Sequence, residues 1–175
     1  PTVISGPTED VVLPAGSTKH DWELELAAVI GATADHVGVD DALDHVAGYT
    51  IVNDVTVRDL QKKDGQWTRG KGFDTFCAVG PCTVARDEIN LGDLRVLTTL
   101  NGEVKQDGFV RDMIFPVNAI ISYVTAFMTL EPGDLIATGT PPGVGPMKPG
   151  STVRIEIEGI GVLENSVIAS PVRTT

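Results

Sequence analysis

Two glutamates set the chemistry open to this chain. Glu23 and Glu25 lie in Asp21-Trp22-Glu23-Leu24-Glu25-Leu26-Ala27-Ala28-Val29-Ile30, where Trp22, Leu24 and Leu26 alternate with Glu23, Glu25 and Ala27. The side-chain period of a strand is two, so both carboxylates face one way, side by side, at the mouth of an apolar stretch. Neighbouring anions repel unless a cation lies between them. Hard oxygen donors suit Mg²⁺, Mn²⁺ or Ca²⁺. The same pattern also describes two ordinary acids on a solvated strand face, because charges are normally exposed. Two carboxylates hold a divalent ion weakly, and a third would make a facial set with positions left open. Asp54 is the best third candidate, since it ends the strand expected over Tyr49–Val55 beside a positively charged patch.

Other residues could complete such a site. Thr56-Val57-Arg58-Asp59-Leu60-Gln61 reads as a short helix capped by Thr56. Arg58 and Gln61 are three apart, so on that helix they share a face. Lys62 to Gly72 is polar, holds Gly65, Gly70 and Gly72, and is expected to be a mobile loop that delivers Lys71. Taken alone, Lys71 reads better as a solvated loop lysine. Leu135 to Thr140 reads as a strand opening into Pro141-Pro142-Gly143-Val144-Gly145. Such a loop lets backbone N–H groups approach an anionic ligand closely, though a plain wide turn fits it equally. His20, His36 and His45 are expected at the surface.

The elements that must position these groups are mostly strands. Val11-Val12-Leu13 is a candidate edge strand ended by Pro14, and the Glu23/Glu25 strand ends at Gly31. Asp40 to Gly48 suggests a short helix with an Asp cap and Gly48 past its end. Asn101-Gly102 supplies the positive φ angles of a hairpin turn between Leu94–Leu100 and Glu103–Gln106. Pro116 opens a helix in which Ile120, Ile121, Val124, Phe127 and Met128 form a stripe expected to be buried. Glu131-Pro132-Gly133-Asp134 is a turn. Val153–Glu158 and Val162–Ala169 form a second hairpin, with Glu156 and Glu158 on its solvated side. Several hairpins and long connections argue for a mixed, mainly antiparallel β-roll with some α rather than βαβ units.

Length and charge narrow the function classes. A chain of 175 residues can bury one core as a single domain, 1–175. The formal net charge of −11 argues against nucleic-acid binding and against an anionic membrane surface. No apolar run is long enough to span a bilayer, and no signal-peptide pattern is present. Cys77 and Cys82 are read as reduced core thiols, so a cytoplasmic enzyme is expected.

Four motifs together resemble the fumarylacetoacetate hydrolase family. They are Asp21-Trp22-Glu23-Leu24-Glu25-Leu26, Tyr49 through Gln61, Lys71-Gly72-Phe73-Asp74-Thr75-Phe76, and Thr138-Gly139-Thr140-Pro141-Pro142-Gly143-Val144-Gly145. Each alone is weak, but the four stand in the family's order, and the likeness runs from about Pro1 to Ser170. The resemblance implies the family's β-roll catalytic domain and a homodimer. It implies that Glu23, Glu25 and Asp54 bind Mg²⁺ or Mn²⁺, with Ca²⁺ as a substitute. Arg58, Gln61 and Lys71 would contact substrate, with Lys71 also catalytic, and Gly139 and Thr140 would hold the substrate carboxylate. Family substrates are small 2-oxo acids.

These properties lead to an expected function. A dication among three carboxylates leaves one net negative charge, so a dianionic substrate needs Arg58 and Lys71. The metal takes up charge developing on an enolate. That step is shared by acylpyruvate-type C–C hydrolysis and oxaloacetate decarboxylation, the preferred reactions. It is also shared by a 2-hydroxyhepta-2,4-diene-1,7-dioate isomerase type of activity in aromatic catabolism. A non-catalytic metal-binding fragment is the reading from a different class. The family's general base, a His–Glu pair, is expected in a segment upstream of Pro1.

Overall fold

The protein is described here by a computed structural model covering residues 2–171; Pro1 and residues 172–175 lie outside the described residues. The chain runs β1 (Ile4–Ser5), β2 (Val11–Leu13), β3 (His20–Asp21), β4 (Leu24–Ile30), β5 (Val46–Asp54), β6 (Thr56–Val57), α1 (Arg58–Asp64), α2 (Thr68–Lys71) and β7 (Cys77–Ala85). It continues through β8 (Arg95–Leu100), β9 (Glu103–Phe109), α3 (Val117–Thr125), β10 (Leu135–Ala137), β11 (Thr152–Ile157) and β12 (Gly161–Ala169). One five-stranded sheet has the order β1-β7-β5-β4-β10, and a second has the order β2-β12-β11-β8-β9. Most pairs are antiparallel; β1 joins β7, and β2 joins β12, in parallel at the edges. This is the mainly-β, curled architecture with some helix that the hairpins imply.

Alternation decides which faces meet. Along β11, Val153, Ile155 and Ile157 are buried while Arg154 and Glu156 point outward and pair at 2.8 Å. Leu24, Leu26, Ala28 and Ile30 of β4, Ile51 of β5 and Leu163 and Val167 of β12 join the same apolar cluster, which draws on both sheets. Burial of such side chains is worth roughly 1.5–3 kcal/mol each, enough to hold the two sheets together. The hairpins form as their turns require: Asn101 and Gly102 have φ of 52° and 83° between β8 and β9.

Several local expectations are corrected. The strand expected over Asp21–Ile30 is interrupted at Trp22 and Glu23. There β3 leaves the main sheet to pair with β6, while β4 pairs with β5. The helix over Asp40–Gly48 is only a 3₁₀ turn, Ala42–His45, because Ala47 and Gly48 belong to β5. Thr56 does not cap α1; it lies in β6 and donates to the Asp54 carbonyl at 3.1 Å. Lys62–Gly72 is not one loop, since α1 extends to Asp64 and α2 ends on Lys71. The strand expected to reach Thr140 stops at Ala137.

Burial also departs from expectation in places. Phe127 and Met128 are exposed, because α3 ends at Thr125 and the chain turns before the stripe continues. Cys82 is exposed, near the middle of β7, whereas Cys77 is half-buried; both are free. His20 is buried, since pairing with Val57 carries it under the chain, and its Nε2 has no partner.

Gly48 shows how closely β5 and β7 approach. A Cβ there would meet the Val84 carbonyl oxygen at 2.2 Å. Gly48→Ala is therefore expected to destabilise the fold by about 1–3 kcal/mol, as overpacking does. Gly92→Ala, whose Cβ would meet nothing nearer than 3.6 Å, is the control. Urea unfolding of both variants checks this; equal stability would show that β7 yields without strain.

Candidate metal and carboxylate site

The break at Trp22 and Glu23 is what assembles the site. Across it, the Glu23 carbonyl accepts from Asp54 N–H at 2.9 Å, and the Asn53 side-chain oxygen accepts from Glu23 N–H at 3.1 Å. The Asn53 amide thus replaces a ladder bond that the jog removes. Glu25 lies two residues on in β4, opposite Val52, so it shares a face with Glu23. Asp54 closes β5 beside them. One oxygen from each of Glu23, Glu25 and Asp54 falls within 4.8 Å of the others. Glu23 and Glu25 are only 7% and 5% exposed, which excludes the reading of two solvated acids.

Cations hold this cluster. Lys71 Nζ donates to Glu23 at 2.8 Å and also to Asp54. Arg58 reaches Glu23 at 2.6 Å and Asp21 at 2.7 Å, and donates to the Gln61 side-chain oxygen at 3.2 Å. Arg58 and Gln61 therefore share a face as their spacing requires, and Arg58 is also an anchor for Glu23. Four acids against two cations leave a formal excess of two negative charges. Burial pushes Glu25 up to about 7, helped by Asp54 and Glu23 and opposed by the Gly139 N–H and Lys71. Burial raises Asp54 as well, against the pull of Lys71. For Lys71 burial acts downward, but the two carboxylates outweigh it and its pKa is raised. Lys71 is thus a held ammonium, a hydrogen-bond donor rather than a base. Burial likewise pushes Cys77 up to about 11, with Asp54 and Glu25 adding to it, so the thiol beside the site is kept protonated.

The third wall comes from the end of β10. Thr138 stays on the Leu26 carbonyl through its N–H at 3.1 Å and its hydroxyl at 2.8 Å. The next residue, Gly139, has φ of 100° and turns its N–H to Glu25 at 2.7 Å. The backbone N–H that reaches an anion is thus Gly139's, in the stretch expected to be strand rather than in the Pro141–Gly145 loop, and that anion is a carboxylate of the protein itself. Thr140 follows, with its hydroxyl accepting from Gln106 Nε2 at 2.9 Å.

All eight sequence-derived residues line one open cleft of about 560 Å³: Glu23, Glu25, Asp54, Arg58, Gln61, Lys71, Gly139 and Thr140. Trp67 and Ala137 complete it. Trp67, 59% exposed, has no spacing signal in the sequence. Asp21 was legible only as part of a motif, and its role in holding Arg58 needs the tertiary contact. Gln106 was legible only as a hairpin residue. A second cleft of about 490 Å³, mainly apolar, is lined by Leu24 and Leu26 from the opposite face of β4 and meets the first at Gly139 and Thr140.

The fit to a divalent cation rests on the donor set: three converging carboxylates, two buried and one half-buried, with an uncompensated negative charge and oxygen-only ligation. No helix among the described residues is long and apolar enough to cross a membrane.

Residues 1–168 match the model of the fumarylacetoacetate (FAA) hydrolase C-terminal domain. A 2-hydroxyhepta-2,4-diene-1,7-dioate isomerase from Mycobacterium marinum superposes with TM-score 0.94 at 50% identity, covering 98% of this chain and 67% of its own. Human mitochondrial oxaloacetate tautomerase is 45% identical over 175 residues, 94% of this chain and 56% of its own length. A maleylpyruvate hydrolase from Sphingobium, solved with manganese(II) and pyruvate, gives TM-score 0.89 at 37% identity, covering 97% of this chain and 62% of that one. The relatives thus include an isomerase, a tautomerase and a hydrolase, and the chain spans little more than half of the human protein. With its fold, its motifs in order and a match over nearly its whole length, the chain belongs to the fumarylacetoacetate hydrolase family.

Proposed function

We propose that this chain is the catalytic domain of a Mg²⁺- or Mn²⁺-dependent enzyme acting on a small 2-oxo acid with a second carboxylate. The observation that carries the reading is the converging Glu23–Glu25–Asp54 cluster, two of its acids buried, with its unbalanced charge. In this reading these three residues hold the cation, for which Ca²⁺ can substitute. Support comes from the Sphingobium neighbour, solved with manganese and pyruvate. A bound dication supplies Lewis acidity to a 2-oxo group.

The chain's own residues do the rest. Lys71, kept protonated, presents charge to the substrate in the cleft that it lines together with Gly139 and Thr140. Arg58 is fixed by Asp21, so it keeps its orientation when Glu23 turns to a cation. Gln61 extends the same wall. The Thr140 hydroxyl receives a substrate carboxylate. Hydrolysis of an acylpyruvate and decarboxylation or tautomerisation of oxaloacetate all develop charge beside the 2-oxo group, and isomerisation of an unsaturated dioate does too. Oxaloacetate is the substrate to test first, because the human relative is named for it. Free Cys77 and Cys82 suit a reducing, cytoplasmic setting.

A second copy is the proposed partner. Ile114 (90% exposed), Phe115, Tyr123, Phe127 and Met128 are exposed apolar side chains within one stretch of the chain, with the Tyr123 and Phe127 rings edge-to-face at 5.3 Å. Ile114 and Phe115 also line the apolar cleft that meets the site at Gly139 and Thr140. Large exposed apolar patches mark association surfaces.

Four outcomes are expected. Cation binding must displace the Glu25 proton, so Mn²⁺ affinity, read by calorimetry, should fall roughly tenfold between about pH 8 and about pH 6. The sign for the metal-free fold is opposite. A carboxyl raised from 4.5 to about 7 stabilises the folded state at low pH and loses that contribution as pH rises through about 7. The melting temperature without metal should therefore drop across this window, less so in Glu25→Gln. Mn²⁺ binding unaffected by Asp54→Asn would remove Asp54 from the metal set.

For Lys71→Ala, kcat/KM for oxaloacetate should fall by the equivalent of about 1.5–3 kcal/mol, the range of a charge-assisted hydrogen bond. Full activity with a large loss of stability would make Lys71 structural. Analytical ultracentrifugation should find a dimer that Phe115→Asp and Tyr123→Asp dissociate; a monomeric parent protein would remove the proposed partner.

A further inference from the structure

Behind Thr140 lies a buried polar chain that no step so far uses. Gln106, on β9, is 1% exposed, and its side-chain oxygen accepts from the Thr98 hydroxyl at 2.9 Å. Its Nε2 donates to the Thr140 hydroxyl at 2.9 Å and to the Pro141 carbonyl at 2.7 Å. The direction of the amide is not a matter of choice. The Pro141 carbonyl can only accept, so the nitrogen must face it, and Thr98 must then donate to the oxygen. Both amide hydrogens and the amide oxygen are used, as a side chain so deeply buried requires.

The strand is shaped to make this contact. Thr98 pairs with Gln106, but Thr99 pairs with Val104, so Lys105 is an extra residue in β9. A bulge of this kind re-aims the neighbouring side chain. The Gly/Pro segment rests on the same bulge: a Cβ on Gly143 would meet the Lys105 carbonyl oxygen at 2.2 Å and Gln106 Cγ at 3.0 Å. Gln106 thus clamps the turn that carries Gly139 and Thr140.

We propose that Gln106, oriented by Thr98, is a positioning residue that turns the Thr140 hydroxyl proton toward the substrate carboxylate. A hydroxyl has one proton to give. With Gln106 donating to its oxygen, that proton is free, and among the described residues it is committed to no protein acceptor. Thr140 lines the charged cleft, where a substrate carboxylate could accept it. The inference rests on the reading of Thr140 as a substrate contact, and the test separates the two.

The probe is oxalate, titrated by calorimetry into Mn²⁺-loaded full chain, with melting temperature recorded alongside. Thr140→Val and Gln106→Met should each weaken oxalate binding about ten- to a hundredfold, the scale of one hydrogen bond to a charged group. Their combination should be no weaker than the worse single variant, because Gln106 acts through Thr140. Thr98→Val should weaken binding by a smaller factor with the same lack of additivity, and it carries the test if Gln106→Met does not fold. Losses that multiply in the double variant would overturn the inference and leave Thr140 as a contact. The same holds if both Gln106→Met and Thr98→Val lower the melting temperature but keep full oxalate affinity. Unchanged affinity in Thr140→Val would sink the reading beneath it, as would an absence of oxalate binding to the unaltered protein.

Discussion

Mutual repulsion among Glu23, Glu25 and Asp54 is the constraint to which the rest of the structure answers. Three carboxylates share a space less than 5 Å across, two of them almost wholly buried. Burial removes the water that would screen them, so positive charge must be supplied from within. Lys71 and Arg58 supply part of it, and Asp21 in turn holds Arg58. Burial, with Asp54 and Glu23 adding to it, raises the affinity of Glu25 for a proton to about neutral pH.

The backbone makes room for this charge by breaking its own regularity. Were Trp22 and Glu23 to continue the ladder, β3 would stay in the main sheet and could not pair with β6. The jog sends β3 to β6, and α1, with Arg58 at its start, follows β6 directly. The Asn53 amide oxygen compensates the Glu23 N–H, and the Asp54 N–H returns to the Glu23 carbonyl. On the far wall, β10 stops at Ala137, so Gly139 can turn its N–H to Glu25 instead of to a neighbouring strand. Both irregularities place polar backbone where an anion needs it.

The site also faces two environments. One face of β4, with the residue just before it, carries Glu25 and Glu23 into the charged cleft, while the other carries Leu24 and Leu26 into the apolar one. Gly139 and Thr140 are the boundary between them, and Gln106 supports that boundary from the bulge in β9. A surface that covered the apolar cleft would therefore act on the residues proposed to hold a substrate carboxylate.

Much of this was legible in the residues. The i, i+2 spacing of Glu23 and Glu25 determined their shared face, and Asn101-Gly102 determined a hairpin, though not the bulge that shifts its register at Lys105. The alternation in β11 determined which residues enter the core. These are local rules, in which a strand or turn imposes its period on whatever sequence it contains. Other features were decided only by contacts distant in the chain. Gly48 belongs in a strand because β7 passes against it, and Lys71 becomes a buried ammonium because α2 carries it onto two acids. His20 is buried by pairing with β6, Phe127 and Met128 are exposed because α3 ends early, and Gln106 matters through a threonine 34 residues away. Spacing along a chain fixes direction relative to its own element, but burial and charge depend on which other elements arrive, and that is settled only when the sheets pack.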